Sequence, residues 1–161
     1  MPHAAAAFNL ARWLTRRDQD AEDVVQEAFI RALRHFDGFR GEEPRAWLLA
    51  IVRNTCWSWL RKNRTHELSE QVEGELDVVA DAGAGPEQQA LQSASQALLR
   101  QAIEELPLEF REIVVLRDLE ELSYKEISEV AGLPMGTVMS RLSRGRDRLQ
   151  KAVLKRSAGE K

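Results

Sequence analysis

Residues 122–149 read LSYKEISEVAGLPMGTVMSRLSRGRDRL, and this stretch has the grammar of a helix-turn-helix. Ser123 followed three residues later by Glu126 makes a capping box, in which the hydroxyl accepts from the backbone N–H of Glu126 while the carboxylate accepts from the N–H of Ser123. A helix is therefore predicted to start here, with Ile127, Val130 and Ala131 turned inward. Gly132 permits the tight turn because it lacks a Cβ, Leu133 anchors it, and Pro134 suits the opening of a second helix. The inward residues of that second helix are Val138, Leu142, Leu149 and Val153. Its outward side carries Arg141, Arg144, Arg148, Lys151 and Lys155 at steps of three or four. A helix of this kind can lie in the major groove, its first turns meeting base edges and its cations meeting phosphates. Thr137, Ser140, Arg141, Arg144 and Arg148 are the candidate DNA contacts. Gly136 and Gly145 serve either close approach or tight packing, and both readings are open. The rival is an ordinary helical hairpin with a solvated basic face; the small residue, glycine and valine at the right mutual offsets argue against it.

Working outward, Ala97–Leu106 and Glu109–Leu119 read as two more helices separated by Pro107, with Phe110, Ile113 and Val114 as core. Before them, residues 65–92 are acidic, poor in aromatics, and rich in Gly, Ala and Pro toward their end. Such a segment buries too little apolar surface to offset its ordering entropy, so it is read as a flexible linker. Upstream, Asp20–Phe36 places Val25, Phe29, Leu33 and Phe36 at helical spacing. Asp20, Glu22 and Asp23 lie in its opening turn, where the helix dipole favours anions. Asp37–Glu43 contains two glycines and reads as a loop, and Pro44 opens a helix running to about Asn63 with Leu48, Ile51, Val52, Thr55 and Trp59 on its apolar side. On that same helix Arg53, Trp57, Arg61 and Arg64 recur along one stripe, with Asn54 and Ser58 beside it. Cations tracking a backbone beside an aromatic surface suit single-stranded nucleic acid, where stacking contributes about 1–3 kcal/mol per base. The equally weighted alternative is that Trp57 is half-buried core and its charged neighbours merely snorkel. No period-two strand pattern of useful length occurs. The expected fold is all-α: two small helical domains, residues 1–64 and 93–161, joined by the acidic linker at 65–92. Each unit is small enough to be marginally stable alone.

The chain has 161 residues, 43% hydrophobic and 30% charged, which excludes a large multi-domain enzyme. No apolar run approaches the roughly 18 residues of a membrane span, and the N-terminus lacks the pattern of a signal peptide, so a soluble, cytoplasmic protein is expected. Cys56 is the sole cysteine, and His3, His35 and His66 show none of the paired spacings of zinc sites. No metal or cofactor is expected. The net charge of −3 conceals segregation: +3 over residues 1–66, −7 over 67–92, −5 over 93–133 and +6 over 134–161. Blocks of opposite sign suggest separate surfaces for separate partners, and a basic end is the electrostatic footprint of phosphate contact. Asp20, Glu22, Asp23 and Glu27 could in principle hold Mg²⁺, but acids in a first helical turn are already accounted for by the dipole. No Gly-rich phosphate loop, GxSxG or His/Cys nucleophile arrangement is present, so catalysis is not expected.

Taken together, these stretches resemble the sigma factors of bacterial RNA polymerase, most closely the short extracytoplasmic-function group. DAEDVVQEAFIRALRHFDGFRG and RAWLLAIVRNTCWSWLRKNR look like region two of that family, and LPLEFREIVVLRDLEELSYKEISEVAGLPMGTVMSRLSRGRDRL like its region four. The resemblance implies a promoter-specificity subunit. Asp23, Val24, Val25, Gln26 and Glu27 match the helix that docks on the largest polymerase subunit. The loop around Phe36, Phe39 and Arg40, with Arg53, Asn54, Trp57, Ser58 and Arg61, matches the face that captures the displaced strand of the −10 element. There a flipped base sits in a pocket, which couples sequence reading to duplex opening. Region four matches the module that reads the −35 element in duplex form while leaning on the second-largest subunit. The linker resembles the connector threaded through the RNA exit channel. Implied partners are core RNA polymerase, promoter DNA and an anti-sigma factor. Three departures accompany the match: a first helix shorter than is usual, Met139 where the family often places Lys or Arg, and two tryptophans, Trp57 and Trp59, where one would suffice. A free-standing helix-turn-helix regulator is the alternative; it predicts tight, salt-sensitive duplex binding by the isolated protein.

Overall fold

The computed structural model describes residues 3–39, 43–63 and 86–159, and all regular structure among them is helical. Helix α1 spans Ala4–Thr15, α2 Asp18–Arg34 and α3 Pro44–Lys62. Pro44 occupies the first turn of α3, where its missing N–H removes no intrahelical bond. Helix α4 spans Pro86–Glu105, α5 Leu108–Val114, α6 Tyr124–Ala131 and α7 Met135–Gly159. After α5 the chain widens into one π turn, Val115–Leu119, closed by Glu120 N–H donating to Val115 O at 3.0 Å.

Two expectations change against this architecture. The segment 86–92, read as part of the linker, is already helical: Pro86 opens α4, and the Glu, Gln and Ala that follow are good helix formers. The rest of the linker, from residue 64 to 85, lies outside the described residues, as does Arg40. In α2 the enclosed residues are Ala21, Val24, Ala28 and Ala32, whereas Leu33 is 74% and Phe36 62% exposed. Small side chains let α1, α2 and α3 pack closely; of the large apolar residues in the pattern, Val25 and Phe29 still pack against the core, while Leu33 and Phe36 are turned outward.

The capping box of α6 forms as expected, with Glu126 N–H to Ser123 Oγ at 3.1 Å and Ser123 N–H to Glu126 Oε1 at 3.0 Å. Gly132 ends that helix at φ 66°, in the left-handed region glycine enters without steric cost. The two glycines of the second helix separate cleanly. A Cβ on Gly145 would stand 2.9 Å from Val114 Cγ2, so Gly145 lets α5 and α7 approach, while Gly136 has open space around it.

A single apolar core runs through both helical blocks, from Ala7, Leu10 and Leu49 to Ile113, Leu116, Ile127 and Val138. Helix α3 packs on α6 and α1 on α5. For two units each too small to bury much surface alone, this shared core supplies area that neither could enclose separately. Polar ties reinforce it. Arg111, 3% exposed, donates to Leu14 O at 3.3 Å and to Leu106 O at 3.0 Å, placing a cation at the carbonyl ends of α1 and α4. Arg16 donates to Glu104 O at 2.6 Å, and Arg45 of α3 meets Glu120 through both its backbone and its carboxylate.

Candidate nucleic-acid interface

Two basic faces emerge. The first is on α3, where residues four apart share a side. Arg53 and Trp57 are stacked, with the guanidinium carbon 4.4 Å from the ring centroid. Both are engaged by Glu112 of α5. Its carboxylate accepts from Arg53 Nε at 2.9 Å, from Arg53 Nη2 at 3.1 Å and from the Trp57 indole N–H at 2.8 Å. Glu112 is fully buried and the Arg53 side chain 15% exposed. A buried carboxylate is tolerated because three charge-assisted or indole donors replace its hydration. The order matters chemically: a planar guanidinium fork plus an aromatic N–H is an anion-binding set, and here the anion comes from the protein itself. Glu112 was not legible as a functional residue. The available signal was an acid with Leu108, Val115 and Leu116 at i−4, i+3 and i+4, a helical position surrounded by apolar neighbours.

The remaining candidates on this side divide. Asn54 and Arg61 are exposed, Ser58 is half-buried, and Arg61 makes no hydrogen bond or ion pair with any described residue. Phe39 joins Phe36 and Trp47 in an aromatic cluster, its ring 5.2 Å from Trp47 and 6.2 Å from Phe36. The two tryptophans of α3 have different duties: Trp59 packs against the core, and Trp57 faces Glu112. Cys56, next to this site, is buried, and its thiol is pushed up to about 12, first by burial and second by the charge of Glu112, with Arg53 opposing.

The second face is the start of α7. Val138 and Leu142 are buried, which turns Gly136, Ser140 and Ser143 outward. Arg144 is exposed and Arg141 partly so, and neither has a hydrogen-bond or ion-pair partner among the described residues. Thr137 lies half-buried beside them. Arg148 is exposed and lies over the Phe110 ring at 4.9 Å, which orients its guanidinium without neutralising it. Asp147 stands exposed on the same helix, but no described acid pairs with Arg141, Arg144 or Arg148.

A third surface lies on α2. Asp23, Gln26 and Glu27 are exposed, Val25 is half-buried, and Val24 is fully enclosed and serves the core. Glu27 pairs with Arg31 at 2.8 Å. On the same outward side stand Ile30, 50% exposed, and Leu33.

Comparison with known proteins decides the family. The sequence family described as Sigma-70 region 2 matches residues 1–66, and Sigma-70, region 4 matches residues 96–149. The ECF RNA polymerase sigma-E factor of Escherichia coli K12 is 36% identical over 141 residues, covering 83% of this chain and 74% of that protein. This chain belongs to the sigma-70 family, in its extracytoplasmic-function group. The Haemophilus influenzae sigma-E factor is 34% identical over 151 residues, covering 89% of this sigma factor and 79% of its relative. SigE of Mycolicibacterium smegmatis is 37% identical over 97% of the chain, which spans 60% of that longer relative. Among solved structures, the sigma factor RpoE of Bartonella quintana, crystallised with the anti-sigma factor NepR, superimposes with a TM-score of 0.75 at 29% identity, covering 94% of this chain and 91% of that one. CnrH, solved with the cytosolic domain of CnrY, gives 0.63 at 25% identity, covering 93% and 81%. As a sigma factor, the protein directs RNA polymerase to promoters and is not an enzyme, and a free-standing regulator is not favoured, since region two is present as well as the helix-turn-helix. No helix among the described residues is long and apolar enough to cross a membrane.

Proposed function

We propose that this sigma factor holds two promoter-reading faces in different states, one closed on itself and one open. The first block, residues 1–64, captures the displaced −10 strand with Phe39, Arg40, Arg53, Asn54, Trp57, Ser58 and Arg61. The second, residues 93–161, reads the −35 duplex with Thr137, Ser140, Arg141, Arg144 and Arg148. Asp23, Val25, Gln26 and Glu27, extended by Ile30 and Leu33, form the docking surface for the largest polymerase subunit, since an exposed apolar pair beside polar residues suits a protein partner.

The observation that carries this reading is Glu112, whose carboxylate occupies the donors of Arg53 and Trp57. A phosphate or base edge needs those same donors, so strand capture requires exchange of an internal acid for an external polyanion. Region four must move away from α3 for this to happen. The free factor is then a weak binder of single strands, and polymerase, by engaging both blocks at once, favours the open form through differential affinity. One structural relative is a complex with an anti-sigma factor and the other a complex with the cytosolic domain of CnrY, and a cytoplasmic anti-sigma factor that favours the closed form is the corresponding partner here.

Run-off transcription with purified core RNA polymerase and a promoter library tests the assignment. The expected result is initiation from a restricted promoter set, with Arg61→Ala reducing permanganate reactivity at −10 while polymerase binding persists. Failure to bind core, or binding without directed initiation, overturns it.

A further inference from the structure

The first two turns of α7 carry a feature that phosphate contact leaves unexplained. Met135 is 43% and Met139 46% exposed, and they stand four residues apart, hence on one side of the helix. With Val138, Leu142 and Gly145 facing the core, the outward middle of the helix is Gly136, Ser140 and Ser143. The arginines Arg141 and Arg144 flank it on one side and the two methionines on the other. The cation on the methionine side, Arg146, is bound by Asp118, with Nη2 to Oδ1 at 2.5 Å and Nε to Oδ2 at 3.2 Å. In these first two turns the exposed surface beside the methionines is thus Gly136, Ser140 and Ser143, with the acid Asp147 one turn further along the same side.

Resting on the reading of α7 as the −35 module, we infer that Met139, supported by Met135, reads thymine in the −35 element through its 5-methyl group. The occupant is duplex DNA because the methionines lie beside Arg141 and Arg144, two arginines without partners among the described residues, in a C-terminal segment of charge +6. Small residues at the middle let the helix seat deeply in the groove. A methionine has no N–H to offer guanine, and the only apolar group exposed in the major groove is the thymine methyl. Its flexible thioether can follow that methyl where a branched side chain could not. Recognition at this position is therefore by shape and desolvation, beside hydrogen bonding by Arg141 or Arg144.

The test uses holoenzyme assembled from core polymerase and the full-length factor on a promoter it initiates from. Each thymine of the −35 element, on either strand, is replaced in turn by deoxyuridine, which removes only the methyl. Wild-type holoenzyme is expected to lose about fourfold in affinity at one or two positions, the worth of one buried methyl group. Met139→Ala is expected to bind thymine and deoxyuridine equally at that position; since Met139 is exposed, its melting temperature should match wild type. Undiminished binding at every deoxyuridine, or methyl sensitivity that persists in Met139→Ala, overturns the inference. So does a Met139→Ala loss that appears in core-polymerase binding instead, which would make this flank a protein contact. A scrambled −35 element separates the two levels: if scrambling has no effect, the −35 assignment itself fails; if scrambling weakens binding and deoxyuridine does not, only the methyl reading fails.

Discussion

The α3 and α7 faces are built from similar parts and differ in one atom group. Each presents arginines beside an aromatic ring, Arg53 on Trp57 and Arg148 on Phe110. On α3 a buried carboxylate from the other block has taken the donors, while on α7 Arg141 and Arg144 remain without partners among the described residues. The comparison teaches that a basic stripe is a nucleic-acid site only to the extent that no internal anion already satisfies it. Under the proposed function it also gives a division of labour, in which the open face meets a duplex first and strand capture waits for the closed one.

The largest expected effect comes from removing the internal anion. Glu112→Gln keeps the volume and loses the charge, so the affinity of the free factor for a −10 single strand should rise roughly 10- to 100-fold, since a hydrogen bond to a charged group contributes about 1.5–3 kcal/mol. Fluorescence anisotropy with a labelled oligonucleotide measures it; unchanged affinity breaks the comparison. Next, Gly145→Ala forces a Cβ against Val114 at 2.9 Å and should cost about 1–3 kcal/mol by overpacking. Gly136→Ala, in open space, should stabilise by up to about 1 kcal/mol because alanine is the better helix former. Denaturant melts of the pair check that only one glycine is a packing residue. Arg144→Ala should weaken recognition of the −35 element by about 1–3 kcal/mol if it meets a base and leave initiation on a pre-opened template intact; equal losses on both templates contradict the division.

The smallest effect concerns Cys56. Its thiol is raised to about 12 in the folded protein by burial and by Glu112, so the folded form holds a proton that the unfolded chain releases near 9. Stability from this source is complete below about pH 9 and is lost as pH rises toward 12. Thiol reagents at pH 8 should modify Cys56 only after denaturation, and fast reaction in the native state contradicts the burial.

What was legible in the sequence was local. The capping box at Ser123 and Glu126, the turn at Gly132 and the opening of α3 at Pro44 each depend on contacts within four residues, and all three formed. The face of α2 was legible only in part: Val25 and Phe29 do pack against the core, but apolar periodicity weights large side chains, whereas close helix packing enclosed Ala21, Ala28 and Ala32 and left Leu33 and Phe36 outside. The start of α4 was hidden by acidic composition, which signals a linker even where Glu, Gln and Ala also favour a helix. Trp57 and Trp59 could not be told apart, since what distinguishes them is Glu112, more than fifty residues away. The closed state of the α3 face depends entirely on that long-range contact, and no local pattern encodes it.

The proposed exchange of Glu112 for the promoter strand on α3 requires the two blocks to separate. Spin labels at positions 62 on α3 and 125 on α6, both exposed, report this directly by pulsed dipolar spectroscopy, because buried Cys56 does not compete for the label. One short distance is expected in the free factor and a longer one in holoenzyme on an open promoter. An identical distance in both contradicts it.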